Sequence, residues 1–352
     1  MSVVQAKDSV IGNRIKHRPR LPEQYVPSLM NIVIAGDISM VPGMEVVIYS
    51  VMKHNRNVHW HILTMDCEVD HKEESTIRVY KAVPRDVIDF LNFMIHYMDP
   101  YSKLTVHDTL QPYKDHLENS VNACTGFSPY AGLRLLLDML LPEEHAALYL
   151  DCDTLCQKDL GWMYAMYSNQ DTDYCAYVTP DACEQWGEMV SGVVMFNLDH
   201  IRYSGFLERA RHNYNHYPYQ YPDQTAMAQA ADPYKMDETY QYIDDIKLCP
   251  YTPAIVHFTN QNKFKIYNTQ PGLFYRYYPE FKWIKDGLDL VHSIFDNYNH
   301  ACPKNDHYVG AANMDESLGN GPEIIVHNKP GTEDNHQEEP EAQCGCACGC
   351  CE

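Results

Sequence analysis

Two short apolar runs, each ending at an acidic residue, constrain the fold of this chain most strongly. The first, Met30 to Ala35, reads MNIVIA and leads into Gly36-Asp37. The second, Ala146 to Leu150, reads AALYL and leads into Asp151-Cys152-Asp153. Short, continuous apolar runs with turn residues after them are typical of parallel strands that are buried on both faces.

The segment that follows the first run predicts the class of the fold. Gly43 to His54 carries apolar residues at helical spacing, and His59 to Thr64 reads as a second strand. A strand, a helix and a strand in this order predict an α/β fold with a mostly parallel, twisted sheet flanked by helices. Further along the chain we expect helices over 86–97 and 130–141 and strands over 191–198 and 253–258. We expect a loop over 213–222.

Composition along the chain divides it into three parts. Residues 1–28 are basic and punctuated by prolines, and we interpret them as an N-terminal extension. Residues 29–302 carry the periodic apolar pattern of one folded domain. Residues 303–352 are acidic, rich in Asn, Gly and Pro, and predicted to form a flexible tail or a surface strap.

The charge balance excludes several function classes. With 27 Lys and Arg against 48 Asp and Glu, the formal net charge is −21, so a broad basic surface for nucleic acid is not expected. A phosphate ligand would need a few focused groups or a metal ion. The chain has no apolar run of the roughly 20 residues that a membrane span needs, and the N-terminus lacks the apolar core of a secretory signal. We therefore expect a cytoplasmic protein.

The carboxylates that follow the second apolar run are the best candidates for chemistry. Asp151 and Asp153 lie at the predicted carboxyl end of a strand, where α/β sheets bind ligands. Their hard oxygen atoms suit Mn²⁺ or Mg²⁺, and His257, at the end of a later predicted strand, could complete such a site. A second Asp-x-Asp, Asp171 to Asp173, lies in a polar segment and is predicted to be merely solvated.

Five segments occur in an order that resembles a known family. They are strand-AGD, RLLLDMLLP, LYLDCDTL, SGVVMFNL and, after an Asp-Gln pair, VHF-x₄-K. Over about residues 30–268 the chain is similar to family 8 glycosyltransferases, retaining enzymes that include glycogenins and bacterial lipopolysaccharide galactosyltransferases. The resemblance implies a GT-A fold and transfer of a hexose or pentose from a UDP-sugar to a hydroxyl of a carbohydrate or glycoprotein acceptor.

The resemblance also implies roles for individual residues. Asp151, Asp153 and His257 match the family's metal ligands. Asp37 matches the acidic residue that contacts the uracil, and Lys263 matches the lysine that touches the diphosphate. Arg134 matches an arginine that reaches the donor sugar and phosphate. The pair Asp223-Gln224 matches residues that face the donor sugar, and Asp181 is aligned with a further sugar-binding Asp.

Two departures from the family pattern leave other functions open. Val190 stands where the family has Asn or Asp, and Asn260 stands where it has Gly. A noncatalytic nucleotide-sugar-binding protein of the same fold is therefore one alternative. Another is a nucleotidyltransferase, which also uses metal-binding carboxylates on an α/β sheet.

The chain ends in a cluster of five cysteines: Cys344, Cys346, Cys348, Cys350 and Cys351. Clustered cysteines near a flexible end can be palmitoylated, which would attach the protein to a membrane. Thiolates at this density could also bind Zn²⁺ or Cu⁺. A third interpretation is a low-complexity end without a function.

Overall fold

The computed structural model describes residues 29–71, 76–123, 127–178, 189–236, 241–243, 253–258, 279–301 and 323–326. The strands within these ranges are β1 (Met30–Ala35), β2 (Val58–Thr64), β3 (Cys67–His71), β4 (Thr76–Tyr80), β5 (Lys103–Asp108), β6 (Ala147–Leu150), β7 (Thr154–Cys156), β8 (Tyr174–Tyr177), β9 (Val190–Phe196), β10 (Tyr234–Lys235), β11 (Gln241–Ile243), β12 (Ile255–His257) and β13 (Glu323–Val326).

The helices of the same ranges are α1 (Val41–His54), α2 (Arg85–Met98), α3 (Leu110–His116), α4 (Leu137–Leu140), α5 (Gly161–Tyr167), α6 (Leu198–Ser204), α7 (Phe206–His216), α8 (Pro222–Ala230) and α9 (Pro279–Ala301). Two 3₁₀ helices, Ile38–Met40 and Pro129–Leu136, accompany them.

A seven-stranded sheet in the order β10-β8-β9-β6-β1-β2-β5 forms the centre of the molecule. Neighbouring strands from β6 to β5 are parallel, and β9 alone runs against the others. The predicted α/β class with a mostly parallel sheet is therefore confirmed. Two smaller sheets, β11-β12-β7 and β13-β4-β3, lie beside it. Strand β13 falls within the segment 303–352 and pairs antiparallel with β4.

Apolar side chains on the two faces of the sheet form two cores. One face buries Ile32, Ile34 and Trp60 under α1, α2, α5 and α9. The other buries Val33 and Leu63 under the longer 3₁₀ helix and α6 to α8. Every residue of β1 is buried, which explains why this strand reads as a continuous apolar run rather than an alternating one.

Two sequence predictions of local structure are wrong. The helix predicted over 130–141 is mostly the 3₁₀ helix Pro129–Leu136, followed by the single turn of α4. Apolar spacing over so few turns does not separate a period of 3.0 from one of 3.6. The loop predicted over 213–222 begins only after His216, because α7 continues to bury Tyr214 against the core. Burial outweighed the turn-like composition there.

Candidate active site

A turn after β6 and a short antiparallel strand pair bring three predicted metal ligands together. The backbone N–H of Asp151 donates to the carbonyl of Gly192 on β9 (2.8 Å), and the chain then turns into β7. Strand β7 pairs with β12 so that Thr154 lies opposite His257. The backbone N–H of Phe258 also donates to the carbonyl of Asp153 (3.1 Å). Both carboxylates and the imidazole therefore lie at the same turn.

The donor atoms of this cluster fit one divalent cation. His257 Nε2 lies 3.2 Å from Asp153 Oδ1 and 3.7 Å from Asp151 Oδ2. One ligand atom from each residue lies within 4.8 Å of the others. Two carboxylate oxygens and one imidazole nitrogen form a donor set that suits Mn²⁺ or Mg²⁺. The buried Nδ1 of His257 has no hydrogen-bond partner among the described residues.

Charges packed at this turn perturb one another. Burial raises the pKa of Asp151; Arg134 acts in the opposite direction, and the nearby Asp153 carboxylate raises it further. Burial alone would lower the pKa of His257, but the carboxylates of Asp153 and Asp151 give a net increase. A bound cation would favour an ionised Asp151 and a neutral His257, which is the protonation state that metal ligation requires.

Arg134 forms a buried wall of the site. Its Nη2 donates to Asp151 Oδ1 at 2.8 Å, and its Nε lies 3.2 Å from Asp223 Oδ2. Its Nη1 donates to the carbonyl of Ser191, and the guanidinium lies 4.2 Å from the ring centroid of Tyr149. With its side chain only 3% exposed, this arginine is the buried counter-charge of Asp223, which is 8% exposed, and of the partly exposed Asp151.

The predicted pair Asp223-Gln224 lies against the start of β9. Gln224 Oε1 accepts a hydrogen bond from the backbone N–H of Ser191 (3.2 Å), beside the carbonyl that Arg134 holds. Asp223 does not cap the helix that follows it, because α8 begins at Pro222 with Tyr221 at the cap position. Proline is preorganised for the first helical position, so the helix starts before the aspartate and leaves its carboxylate to Arg134.

Gly192 makes room for the imidazole of the site. A Cβ on this residue would lie within 2.6 Å of three ring atoms of His257, closer than real Cβ atoms approach any neighbour. Gly43 has a similar role at the start of α1, where a Cβ would lie 2.6 Å from the carbonyl oxygen of Cys152. The turn that carries the two aspartates therefore needs glycine on two neighbouring elements.

The remaining predicted site residues have different outcomes. Asp37 is buried at the end of β1, the strand next to β6, and its Oδ1 accepts hydrogen bonds from the backbone and the hydroxyl of Ser39 (3.0 and 2.6 Å). Asp181 and Lys263 lie outside the described residues, as do the cysteines of the tail. The second Asp-x-Asp is only half solvated: Asp171 is exposed, whereas Asp173 is buried and accepts a hydrogen bond from Ser204.

Three contributions to the site were missed in the sequence: the ring of Tyr149, the backbone of Ser191 and the missing side chain of Gly192. Tyr149 precedes Asp151 by two residues, so the alternation of β6 places both on one face of the strand, and this signal could have been read. The pairing of β9 with β6 carries no such signal.

The described residues include no helix that is both long enough and apolar enough to cross a membrane.

Comparisons with known proteins agree with the geometry. A family model described as glycosyl transferase family 8 matches residues 31–264. An active-site mutant of LgtC aligns with a TM-score of 0.53 at 13% identity, over 73% of this chain and 96% of that one. GlyE of Streptococcus pneumoniae TIGR4 aligns at 0.51 and 15% identity, over 74% and 64%.

The bifunctional glycosyltransferase WbbM aligns with a TM-score of 0.51 at 14% identity, over 69% of this chain. The chain spans 47% of the WbbM chain, so the likeness concerns part of that protein. At these identities the solved structures establish the fold alone. No curated protein matches the sequence.

Proposed function

The chain belongs to glycosyl transferase family 8, and we propose that it transfers a hexose or pentose from a UDP-sugar to an acceptor hydroxyl with retention of configuration. Its GT-A fold places ligands at the carboxyl ends of the sheet strands, and Asp151, Asp153 and His257 converge at that edge. This convergence is the single observation that carries the proposal. The acceptor class that we propose is a carbohydrate or a glycoprotein.

Asp151, Asp153 and His257 would hold Mn²⁺ or Mg²⁺ in this proposal. When bound, the cation neutralises charge that develops on the leaving diphosphate. Lys263 assists by contacting the same diphosphate. At a net charge of −21, the chain needs such a local positive cluster to bind a nucleotide at all.

The neighbouring residues divide into contact and positioning roles. We place Gln224 against the donor sugar, because the backbone N–H of Ser191 holds its side chain at the rim of the site. Arg134 and Asp223 act mainly by fixing Asp151 and the start of β9, since each of the three guanidinium nitrogens contacts Asp151, Asp223 or the backbone of Ser191. Asp37 and Asp181 are proposed to contact the uracil and the donor sugar, respectively.

The compartment that we propose is the cytoplasm. Cys67, Cys156 and Cys175 are buried free thiols, which fits a reducing environment. Attachment to a membrane through a lipidated cysteine cluster stays a prediction.

The test is UDP release from a panel of UDP-sugars, with and without Mn²⁺, by the wild-type chain and by Asp153→Asn. We expect Mn²⁺-dependent release by the wild type, and its loss in Asp153→Asn with an unchanged melting curve in EDTA. Asp171→Asn is the matched control, because Asp171 belongs to the other Asp-x-Asp and its side chain is fully exposed. Full turnover by Asp153→Asn would overturn the metal assignment.

The same panel separates the alternatives. Binding of a UDP-sugar without any release of UDP would favour a noncatalytic nucleotide-sugar-binding protein. Release of pyrophosphate from a nucleoside triphosphate would favour a nucleotidyltransferase. A ladder of sugar additions in the intact mass would identify the chain, with its 27 Tyr, as its own acceptor.

A further inference from the structure

A second cluster of metal-ligating side chains lies at the end of the sheet opposite the proposed active site. His59 and His61 lie on one face of β2, since they are two residues apart on a strand. Glu144 lies just before β6, whereas Asp151 follows that strand. The two ends of β6 therefore separate this cluster from Asp151 and its neighbours.

The ligand atoms of this second cluster are already close to one another. One atom from each of His59, His61 and Glu144 lies within 4.8 Å of the other two. His59 Nδ1 is 3.9 Å from Glu144 Oε1, and the two imidazole rings lie 4.0 Å apart between centroids. Nothing in the catalytic proposal uses these three residues.

Each imidazole of the cluster has one ring nitrogen held by a second partner. His59 Nε2 lies 2.8 Å from Thr105 Oγ1, which leaves Nδ1 towards Glu144. His61 Nδ1 lies 3.1 Å from His107 Nε2, and its Nε2 lies 3.3 Å from Asn31 Oδ1. Ligation of a metal through Nε2 therefore requires the tautomer with the proton on Nδ1 and displaces the contact with Asn31. Metal-binding histidines characteristically donate their other ring N–H in this way, which fixes the ring and raises its basicity as a ligand.

The carboxylate of Glu144 is oriented by the same kind of support. Asn31 Nδ2 donates to Glu144 Oε2 at 2.8 Å and to the carbonyl of Ala146 at 3.2 Å. These bonds engage one carboxylate oxygen and leave Oε1 on the side of His59. The arrangement thus holds two imidazoles and one carboxylate together with their supporting partners.

We propose that His59, His61 and Glu144 form a second metal site, and that its ligand is Zn²⁺. Two imidazole nitrogens and one carboxylate make a donor set that favours Zn²⁺, whereas the two carboxylates of the first cluster favour harder cations. The side chains of His59 and Glu144 are partly exposed, at 16% and 28%, whereas His61 is buried.

The test is Zn²⁺ titration of the full-length chain by calorimetry. The parent carries Asp153→Asn and serines at the five tail cysteines, because the first cluster and the tail thiols could also bind Zn²⁺. Within this parent, His59→Gln and Glu144→Gln alter partly exposed residues that should leave the fold intact. His96→Gln is the matched control, since His96 is exposed on α2 and its Nδ1 lies 2.8 Å from the backbone carbonyl of Asn92 on the same helix.

We expect one Zn²⁺ per parent chain, and an affinity at least about 100-fold weaker in His59→Gln and in Glu144→Gln. Thr105→Val removes the group that orients His59 and should weaken binding by roughly 10- to 100-fold. Zn²⁺ should raise the melting temperature of the parent and of His96→Gln only. If the parent binds no Zn²⁺, or if His59→Gln binds it as tightly as the parent, the cluster is only a hydrogen-bonded network and the proposal is wrong.

Discussion

Replacing Gly192 with alanine tests whether the metal site depends on the missing side chain. The new Cβ would lie within 2.6 Å of three ring atoms of His257, and ordinary van der Waals contact begins at 3.4 Å. The nearest ring atom, Cε1, would lie at 1.9 Å, so it must retreat from 1.9 Å to 3.4 Å, about 1.5 Å, to reach ordinary contact. Metal–ligand distances tolerate only about 0.2 Å, so we expect Gly192→Ala to bind Mn²⁺ at least about 100-fold more weakly.

The same contact predicts a loss of stability that can be assigned to His257. Overpacking of this kind costs about 1–3 kcal/mol. No positive φ is recorded for Gly192, so an alanine is compatible with its backbone and the cost arises from the ring alone. In a His257→Ala background the ring is absent, and Gly192→Ala should then cost less than about 0.5 kcal/mol.

The wild type, Gly192→Ala, His257→Ala and the double variant form a double-mutant cycle. Urea denaturation of these four chains in EDTA measures the coupling energy between the two positions. Calorimetry with Mn²⁺ measures the affinity of the two chains that keep His257. Equal destabilisation by Gly192→Ala in both backgrounds would refute the steric argument. So would an unchanged Mn²⁺ affinity in Gly192→Ala.

Three further predictions concern charge at the site. Arg134→Met should lower the free energy of unfolding, measured by urea denaturation, by about 3–5 kcal/mol, because Asp151 and Asp223 lose their buried counter-charge. Arg85→Met is the control: it breaks the exposed pair with Asp89 and should lower the free energy of unfolding by less than about 1 kcal/mol. Because the carboxylates raise the pKa of His257 above its usual value, Mn²⁺ affinity should rise as the pH rises through that pKa, and this dependence should be flatter in His257→Gln. Without metal, the pH dependence of the free energy of unfolding has the opposite sign. The contribution of protonated His257 to stability is complete below about pH 6.5 and is lost as the pH rises through the pKa of His257 in the folded state. Urea denaturation in EDTA at a series of pH values would measure this loss.

Much of the fold and the family could be predicted from the sequence because the central strands are continuous apolar runs. The α/β class and the family 8 resemblance are both confirmed. The convergence of Asp151, Asp153 and His257 was predicted from the resemblance and appears in the structure. The type of helix at Pro129–Leu136 and the length of α7 were not predictable, because tertiary burial decides both.

The second histidine cluster illustrates a different limit. His59-Trp60-His61 was read only as part of a strand, and its alternation does place both imidazoles on one face. The partners that make the pair interesting, Glu144 and Thr105, reach it only through the pairing of β2 with β5 and the position of β6. Contacts between such distant segments leave no local pattern in a single sequence.

The reversed strand β9 explains why the active site could be recognised in the sequence but not assembled from it. Because β9 runs antiparallel to β6, its first residues rather than its last lie beside Asp151. That direction lets Ser191 hold Arg134 and Gln224 through its backbone, and lets Gly192 accept from Asp151 while leaving space for His257. The apolar run SGVVMF predicts a strand in either direction. If β9 were parallel to β6, Ser191 and Gly192 would lie at the opposite end of the sheet. The direction of this one strand therefore decides whether the predicted metal ligands have the residues that support them nearby.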